Sequence, residues 1–450
     1  MSTYLQIPKA KVLTEQSYAQ AFRVDGEKSA RRSKPAGRPA PPGTGVGALT
    51  VDRSTPIVVF CHLSWDWVWQ RPQQFMSRFA RTHRVLFVEW SEAPVPAPMG
   101  ELRPAPGHPN VTILCGRLPL GCAADRARRE NAQREIVRHA LQEELAGQFE
   151  APIAWFYDPM TFRALEGVCD ESLVVYDCMD ELSQFKGAPP EIVERERELL
   201  DRADIVFCGG RRMREKRLPF NSQCHFFGTG VDGAHFGQAL QPDLPVAPDV
   251  ARLRGPVLGY FGVVDERMDY ELLAKLADAR ADWHVALVGP HAKVDPRDFP
   301  QRSNLHFLGA RNYADLPAIT KGFAVCLMPF ALNAATEFIN PTKALEYMAA
   351  GKPVVSTALN EVKSNFARVA AIAESHEEFI ARCIEQVERP SRLRINRGLR
   401  LAARNSWESI IAAMEQLLAD AGQRRVEGAL AEVAATRTAA MAATATLSRV

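Results

Sequence analysis

Short, continuously apolar segments alternate with longer helical stretches along most of this chain, and this alternation constrains its fold more than any other feature. Five such segments in the first half are Ile57–His62, Arg84–Glu89, Ile153–Tyr157, Leu173–Asp177 and Asp204–Cys208. Five more in the second half are Val257–Phe261, His284–Val288, Asn304–Leu308, Ala324–Met328 and Val354–Ser356. Strands that are apolar on both faces and are joined by helices predict parallel sheets covered on both sides.

A proline-rich break at Gln241–Pro248 divides the two series and reads as a linker. We therefore predict an α/β protein with two Rossmann-like, doubly wound domains, residues 55–240 and residues 249–403. Such sheets bind ligands at the carboxyl ends of their strands. Two of them facing each other would place a ligand in the cleft between them.

The ends of the chain have a different composition. Residues 1–54 are rich in Pro, Gly and Arg between positions 28 and 47, which predicts a disordered tail. Residues 404–428 carry apolar side chains at helical spacing and predict a C-terminal helix that ends the second unit. Residues 429–450 are rich in Ala and Thr and are expected to form a tail or a frayed helix.

Composition excludes several classes of protein. Of the 450 residues, 46% are hydrophobic and 24% charged, and 55 Lys+Arg nearly balance 53 Asp+Glu, so fibrous, wholly disordered and strongly nucleic-acid-binding chains are disfavoured. No apolar run is long enough to span a membrane and the first residues lack a signal-peptide core, so we expect a cytoplasmic protein. The nine cysteines form no Cys-x-x-Cys pair, which favours buried free thiols over a zinc site.

The segment Thr336–Thr357 is the most informative for chemistry. Its spacing predicts a turn, then a helix that opens near Thr342, and then a strand. Lys343 and Glu346 lie three residues apart on one face of that helix. This pair suits a phosphate, met by the cation, and a ribose, whose hydroxyls donate to the carboxylate. The alternative is a solvent-exposed Lys–Glu pair on a surface helix.

The stretch PTKALEYMAAGKPVVST, residues 341–357, resembles the donor-binding motif of glycosyltransferase family 4-like enzymes, which have the two-domain GT-B fold. The resemblance implies that Glu346 holds the donor ribose and that Asn340 and Thr342 belong to the donor site. Many members carry two glutamates with seven residues between them. Here Glu337 and Glu346 have eight between them, and Glu337 is expected near the sugar.

A second matching segment, Gly259–Leu273, has a glycine-containing loop after its strand. In the family this loop carries a basic pair for the donor diphosphate, which implies that Arg267 takes the second position and that Gly262 replaces the first. Arg267 and Lys343 are thus the expected catalytic residues, since they would stabilise charge on the leaving diphosphate. A solvated arginine is the alternative for Arg267. Further along the chain, Arg311–Tyr313 could flank the base.

In the first half, HLSWDWVWQRPQQFMSRFA follows the first strand. Its His62, Trp65, Asp66 and Arg71 are candidate contacts for the acceptor or the sugar, because aromatic rings with polar neighbours suit sugar recognition. The alternative is a hydrophobic anchor for the loop. This pattern is similar to bacterial cell-surface polysaccharide glycosyltransferases of the teichuronic-acid type.

Residues 174–185, VVYDCMDELSQF, resemble the same bacterial proteins. They place Asp177 and Asp180 just past the end of a strand, where the resemblance implies a second contact for the acceptor or the sugar. Both carboxylates join the candidate site on that ground.

The resemblance implies transfer of a sugar from a nucleotide-diphosphate donor to a saccharide or lipid-linked acceptor in cell-surface polysaccharide synthesis, with retention of configuration and without a metal or other cofactor. A nucleotide-sugar 2-epimerase and a non-catalytic nucleotide- or sugar-binding protein stay open as alternatives. Nucleic acid is not expected as a partner. The basic stretch Lys28–Arg38 is a candidate for peripheral contact with the inner membrane, the alternative being a solvated tail.

Overall fold

The computed structural model describes residues 51–122, 125–185, 187–334, 336–337 and 339–447. Two α/β lobes follow one another along the chain and confirm the predicted pair of doubly wound sheets. The predicted N-terminal tail and its basic stretch Lys28–Arg38 lie almost wholly outside the described residues. Within these residues, no helix combines the length and the apolar character needed to cross a membrane.

The first lobe, here the N-lobe, is built on an eight-stranded sheet in the order β3-β4-β2-β1-β5-β6-β7-β8. Its strands are β1 (Ile57–Phe60), β2 (Val85–Ala93), β3 (Met99–Ala105), β4 (His108–Pro119), β5 (Ile153–Phe156), β6 (Leu173–Cys178), β7 (Ile205–Cys208) and β8 (Cys224–Phe226). Its helices are α1 (Arg71–Phe79), α2 (Arg126–His139), α3 (Phe162–Leu165), α4 (Ile192–Arg202) and α5 (Arg211–Arg217). All strands are parallel except β3, which pairs antiparallel with β4.

The second lobe, here the C-lobe, has a six-stranded, fully parallel sheet in the order β11-β10-β9-β12-β13-β14. Its strands are β9 (Val257–Phe261), β10 (His284–Val288), β11 (Leu305–Gly309), β12 (Val325–Met328), β13 (Val354–Thr357) and β14 (Ala371–Ala373). Its helices are α6 (Gly233–Gly237), α7 (Pro248–Ala251), α8 (Tyr270–Ala279), α9 (Leu316–Lys321), α10 (Lys343–Ala349), α11 (Asn360–Phe366), α12 (His376–Glu388) and α13 (Arg392–Arg404).

The ten predicted strands are all present, and the four that the sequence pattern missed lie at or next to sheet edges. Strands β8 and β14 have three residues each, too few for a recognisable apolar run. Strand β3 is exposed or half-buried up to its last residue, and β4 mixes exposed, half-buried and buried positions, so neither is apolar on both faces. Edge strands face water on one side, so they lack the continuous apolar signature of central strands.

The last helix, α14 (Trp407–Leu447), returns to the N-lobe. Trp407, Ile411, Met414 and Leu418 are buried in the core that covers one face of the N-lobe sheet, with the Trp407 ring edge-on to Phe75 at 5.6 Å between ring centroids. The expectation that this helix ends the second unit is therefore wrong, although its apolar stripe does face a core. The helix also runs through the predicted tail as far as Leu447, since alanine favours helix strongly.

The chain passes between the lobes twice, at neighbouring points. Val231 lies where the chain leaves the N-lobe, and residues 405–406 lie where it returns. Val231 bridges Ser406, and its backbone N–H donates to the Asn405 carbonyl at 2.9 Å. The first crossing lies before the proline-rich break, because Phe236 is already buried in the C-lobe core and stacks on Phe261. The prolines of the break mark a loop on the C-lobe, not the change of lobe.

Candidate functional site

Two glycines shape the C-lobe edge that faces the N-lobe. Gly262 follows β9 with φ of +136° and Gly289 follows β10 with φ of +147°, a backbone region that favours glycine. A Cβ on Gly289 would lie 1.9 Å from the Gly262 carbonyl oxygen, and a Cβ on Gly262 would lie 2.0 Å from Lys343 Cε. The two loops and the Lys343 side chain therefore meet only because both positions lack a side chain.

Lys343 is the first residue of α10, and its Nζ lies 5.4 Å from the centre of the Tyr260 ring. The preceding Thr342 makes no side-chain cap hydrogen bond to the helix. The Tyr347 hydroxyl accepts from the backbone N–H of Phe261 at 3.1 Å and fixes α10 against β9. Burial lowers the pKa of Lys343, an effect opposed by Glu346. Among the described residues, no carboxylate lies within ion-pair distance of this ammonium.

Glu346, one turn along α10, is only 9% exposed. Burial raises the pKa of its carboxyl to about 7, and Lys343 works in the opposite direction. The same carboxylate raises the pKa of the Tyr313 hydroxyl, after the larger effect of burial, so Tyr313 lies within its electrostatic reach. Within the described residues, the Glu346 side chain makes no hydrogen bond and no ion pair. An uncompensated carboxylate at this depth is costly unless a ligand uses it.

Arg267 is held by its own loop. Its Nε is 3.0 Å from both Asp265 carboxylate oxygens and its Nη2 is 2.6 Å from Oδ2, while its guanidinium lies 5.6 Å from the centre of the Phe185 ring of the N-lobe. The residue is therefore positioned at the junction of the lobes, but much of its charge is balanced by Asp265.

On the N-lobe side, Asp180 faces the same groove. It is half-buried, and burial raises the pKa of its carboxyl, against the opposing effects of Arg267 and then His62. It also raises the pKa of Lys343 slightly, so it lies within reach of that ammonium. His62 is exposed at the end of β1. Asp180 and His62 are thus brought together with the predicted donor residues.

Arg71 and Asp177 are also brought together, but they point inward. Asp177 is fully buried and Arg71 is 7% exposed. Nε and Nη2 of the arginine both lie 2.9 Å from Asp177 Oδ1, and Nη1 donates to the Phe227 carbonyl at 2.8 Å. Burial raises the pKa of Asp177, and Arg71 opposes the shift. This pair ties α1 to β6 and to the segment before the first crossing, so it supports the groove and does not line it.

Trp65 and Asp66 are not part of the groove. Trp65 is 3% exposed, packs edge-on to Phe87, and its backbone N–H donates to Glu89 at 2.7 Å. Asp66 is exposed and pairs with Arg103 at 2.7 Å. The hydrophobic-anchor interpretation holds for Trp65, because its loop folds down over the sheet. The sequence could not show which tryptophan of the three would be covered.

Glu337 and Asn340 connect the lobes. Glu337 Oε1 lies 3.2 Å from Arg212 Nη1, and Asn340 Nδ2 donates to the Gly209 carbonyl at 3.0 Å. The N-terminal end of α5 makes two more such contacts with α11, from the Arg212 backbone N–H to Glu361 at 3.1 Å and from Arg211 Nε to Asn365 at 3.2 Å. These two candidate donor residues therefore close the groove at one side.

A cavity of about 500 Å³ adjoins the groove on the side of Tyr313. Trp69 stacks on His108 at 5.7 Å on the N-lobe wall, and Tyr313 stacks on His235 at 4.4 Å on the C-lobe wall. Gln74 and Arg78 of α1 also line this cavity.

Sequence reasoning included Tyr313 but missed Gln74 and Arg78. Their positions three and seven residues after Arg71 put these polar side chains on one face of a largely buried helix. That spacing was the available signal.

The described residues contain no group of three or more His, Cys, Asp or Glu side chains placed to hold a metal ion. That the reaction needs no metal stays a prediction, which an activity assay with and without a chelator would test.

Comparison with known proteins supports the resemblance. Residues 255–389, most of the C-lobe, match the family model of glycosyl transferases group 1. A Bacillus subtilis (strain 168) protein, TuaH, which is named for a glycosyltransferase of teichuronic acid biosynthesis, is 26% identical over 226 residues. That match covers 46% of this chain and 55% of the relative, so the chain spans about half the length of the curated relative it matches.

Solved structures with two lobes of the same kind align with most of this chain. A UDP-forming α,α-trehalose-phosphate synthase from Burkholderia xenovorans aligns with a TM-score of 0.60 and 12% identity, over 81% of this chain and 98% of its own. Sucrose-phosphate synthase from Thermosynechococcus elongatus aligns with a TM-score of 0.59 and 15% identity, over 81% of this chain and 98% of its own. Anabaena HepE, in complex with UDP and glucose, aligns with a TM-score of 0.56 and 13% identity, over 81% of this chain and 99% of its own. At these identities the likeness shows the fold, and it confirms the predicted GT-B arrangement.

Proposed function

We propose that this protein is a glycosyltransferase that moves a sugar from a nucleotide-diphosphate sugar to an acceptor bound between its lobes. One observation carries the proposal. Lys343 and Glu346 lie one turn apart on α10, with Lys343 against Gly262, and neither has an ion-pair partner among the described residues. A cation and an anion held without partners at a groove suit a ligand that carries both phosphate and hydroxyl groups.

The donor diphosphate would lie at the two glycines. Without side chains, the loops after β9 and β10 let a phosphate approach the backbone closely. Lys343 would supply a full positive charge there, and Arg267 would offer the guanidinium N–H groups that Asp265 does not occupy. Charge that develops on the diphosphate as the sugar leaves would be stabilised in a groove with little water.

Glu346 would accept hydrogen bonds from the ribose hydroxyls. Its raised pKa reports a carboxyl whose charged form lacks solvation, and two hydroxyl donors would restore that solvation. Tyr313, next to this carboxylate and stacked on His235, would bound the same subsite.

In the reaction, the bond between the sugar's anomeric carbon and the diphosphate oxygen breaks, and a bond from that carbon to the acceptor oxygen forms. We infer that the acceptor proton passes to the leaving diphosphate on the same face, which retains the anomeric configuration and needs no separate protein base. Asp180 and His62, across the groove, would orient the acceptor hydroxyl. Neither metal nor other cofactor is required for these steps.

A saccharide or lipid-linked acceptor in cell-surface polysaccharide synthesis, used on the cytoplasmic side of the membrane, is the biological role that we propose. Its support is the likeness to TuaH. We expect side chains of the N-lobe to select the acceptor. The N-lobe is the half of the molecule that the family model does not cover.

The function is tested by incubating the protein with UDP-, GDP- and dTDP-sugars, with and without extracted polysaccharide precursors. We expect release of nucleotide diphosphate that depends on acceptor, and affinity for that nucleotide at least 10-fold weaker in Glu346→Gln, since each charged hydrogen bond lost costs about 1.5 kcal/mol or more. Glu385→Gln, an exposed glutamate of α12 in the same lobe, is the control and should bind like the wild type. Equal affinity in Glu346→Gln and the wild type would show that the donor site lies elsewhere.

A non-catalytic nucleotide- or sugar-binding protein is the second candidate, favoured by the pairing of Arg267 with Asp265 and by glycine at position 262. Tight binding of one nucleotide sugar without turnover, with any acceptor, would select it. Interconversion of the donor sugar without transfer would instead indicate a nucleotide-sugar epimerase.

A further inference from the structure

Positive charge is concentrated in one short stretch of the chain. Residues 389–404, RPSRLRINRGLRLAAR, contain six arginines and no acidic residue. The whole chain has 55 Lys+Arg against 53 Asp+Glu, so the remainder has 49 against 53 and is slightly acidic. A run of like charges without acidic neighbours calls for a local explanation.

The structure folds this stretch into α13, a helix with one buried and one basic side. Gly398 and Ala402 face inward, and a Cβ on Gly398 would lie 3.0 Å from Met348 Cγ, so the helix packs closely on α10. The outward side presents four arginines and one leucine that is 58% exposed: Arg392, Leu393, Arg397, Arg400 and Arg404. These positions follow one another at helical spacing and form a continuous face.

No carboxylate among the described residues forms an ion pair with any of these four arginines. Several other exposed arginines are neutralised, as Arg163 is by Glu198 and Arg302 by Asp278. The charge of α13 is therefore not part of an internal surface network, and its field extends into the solvent.

The same face continues beyond the helix. A Cβ on Gly351 would lie 2.6 Å from Leu240 Cδ2 and 4.0 Å from Leu399 Cδ2, so Leu240, which is 51% exposed, adjoins α13. Next to it, the ammonium of Lys352 donates to the Lys321 carbonyl at 2.7 Å, and the Lys321 ammonium donates to the Gln241 carbonyl. Asp243 is the acidic residue in the loop beside them.

We propose that this basic face docks the protein on an anionic lipid bilayer. The face comprises Arg392, Leu393, Arg397, Arg400, Arg404, Lys321, Lys352 and Leu240. Arginines that flank exposed leucines match the charge and the apolar boundary of a headgroup layer. A single-stranded nucleic acid would also need aromatic side chains to stack on its bases, and none belongs to this face.

Docking would set the donor helix one layer from the membrane, because α13 packs directly on α10, which carries Lys343 and Glu346. The surface differs from the basic N-terminal stretch Lys28–Arg38. The proposal does not depend on glycosyl transfer, and vesicle binding can be measured without any sugar.

The test uses the full chain and vesicles of phosphatidylcholine with about one-third phosphatidylglycerol, against vesicles of phosphatidylcholine alone, in a sedimentation assay. Each basic side chain at an anionic surface contributes about five-fold in affinity, so the triple variant Arg392→Gln, Arg397→Gln and Arg400→Gln should bind on the order of 100-fold more weakly. Rising salt should weaken wild-type binding. The matched control changes three exposed, unpaired arginines elsewhere, Arg128→Gln, Arg254→Gln and Arg368→Gln, and should keep wild-type affinity.

Two further variants keep the test decisive. The triple Arg-to-Lys variant at 392, 397 and 400 should retain binding, which separates loss of charge from loss of structure, and Leu393→Ser should bind more weakly. The proposal is overturned if the wild type ignores the anionic vesicles, if both triple glutamine variants bind equally, or if a DNA duplex of matched charge binds the face more tightly than vesicles do.

Discussion

At the scale of single residues, Glu346 is a carboxyl whose buried environment departs strongly from that of its free form. Its pKa rises from an ordinary 4.5 to about 7 because its charged form is buried. The folded protein therefore holds this proton at a pH where the unfolded chain has released it. The stabilisation is complete below about pH 4.5 and is lost as the pH rises through about 7.

We therefore expect the wild type to lose stability, relative to Glu346→Gln, between about pH 5 and about pH 8, by at most about 3 kcal/mol. Lys343, whose pKa burial lowers and Glu346 raises, is present in both proteins, so the difference measures Glu346 together with its interaction with Lys343. Urea unfolding at the two pH values measures it. If the gap between the two proteins stays constant with pH, the carboxyl is already solvated and the buried site is not as described.

The candidate residues that the structure brings together at the groove are mainly those whose positions are set by local spacing. Lys343 and Glu346 share a helix face, and Gly262 directly follows a strand. Contacts between residues that are far apart in the sequence could not be predicted. Arg71 and Asp177 are 106 positions apart, so nothing local indicated that each would be buried against the other. For Trp65 the sequence left a sugar contact and a hydrophobic anchor open for the same reason, because its burial depends on where a whole loop folds.

At the scale of elements, the central strands were predictable because burial on both faces leaves an apolar run, and the edge strands β3 and β4 were not. Helix α14 shows a different limit. Its apolar stripe correctly indicated a core-facing helix, but the stripe carries no information about which core it meets.

Trp407→Ala tests the placement of α14. The indole is 1% exposed and packs on Phe75, and a Cβ on Gly230 would lie 2.6 Å from its Cδ2. We expect a loss of about 3–5 kcal/mol of stability, with the N-lobe unfolding first. Gln416→Ala, on the exposed side of the same helix, should change stability by less than about 0.5 kcal/mol. The assignment fails if Trp407→Ala leaves the denaturation curve unchanged, as measured by circular dichroism.

At the scale of the whole molecule, the groove is closed by polar contacts and not by a shared hydrophobic core. Asn340 donates to the Gly209 carbonyl and Arg211 to Asn365, across the lobes. Hydrogen bonds of this kind contribute about 1 kcal/mol each, so the lobes should open at modest cost, which suits a site that must admit and release substrates.

The double variant Asn340→Ala, Arg211→Ala should shift the lobes toward an open state by roughly 10-fold or more. Small-angle X-ray scattering of the ligand-free protein should then give a larger radius of gyration than for the wild type. The control Asn312→Ala, Arg254→Ala removes exposed side chains of the same types from the C-lobe surface alone. Identical scattering from the two double variants would argue that other contacts hold the closed form.

The two neighbouring crossings have a consequence for how such opening takes place. Val231 and Ser406 are bridged, so the C-lobe is an insertion into the N-lobe whose first and last residues are joined side by side. Relative movement is then restricted to rotation about that fastening. Val51, the first described residue, belongs to the N-lobe side of this fastening, because it packs against Gly422 of the returning helix. A fluorescent label on Val51 or Gly422 would therefore move with the N-lobe, and a second label on the C-lobe would follow the rotation.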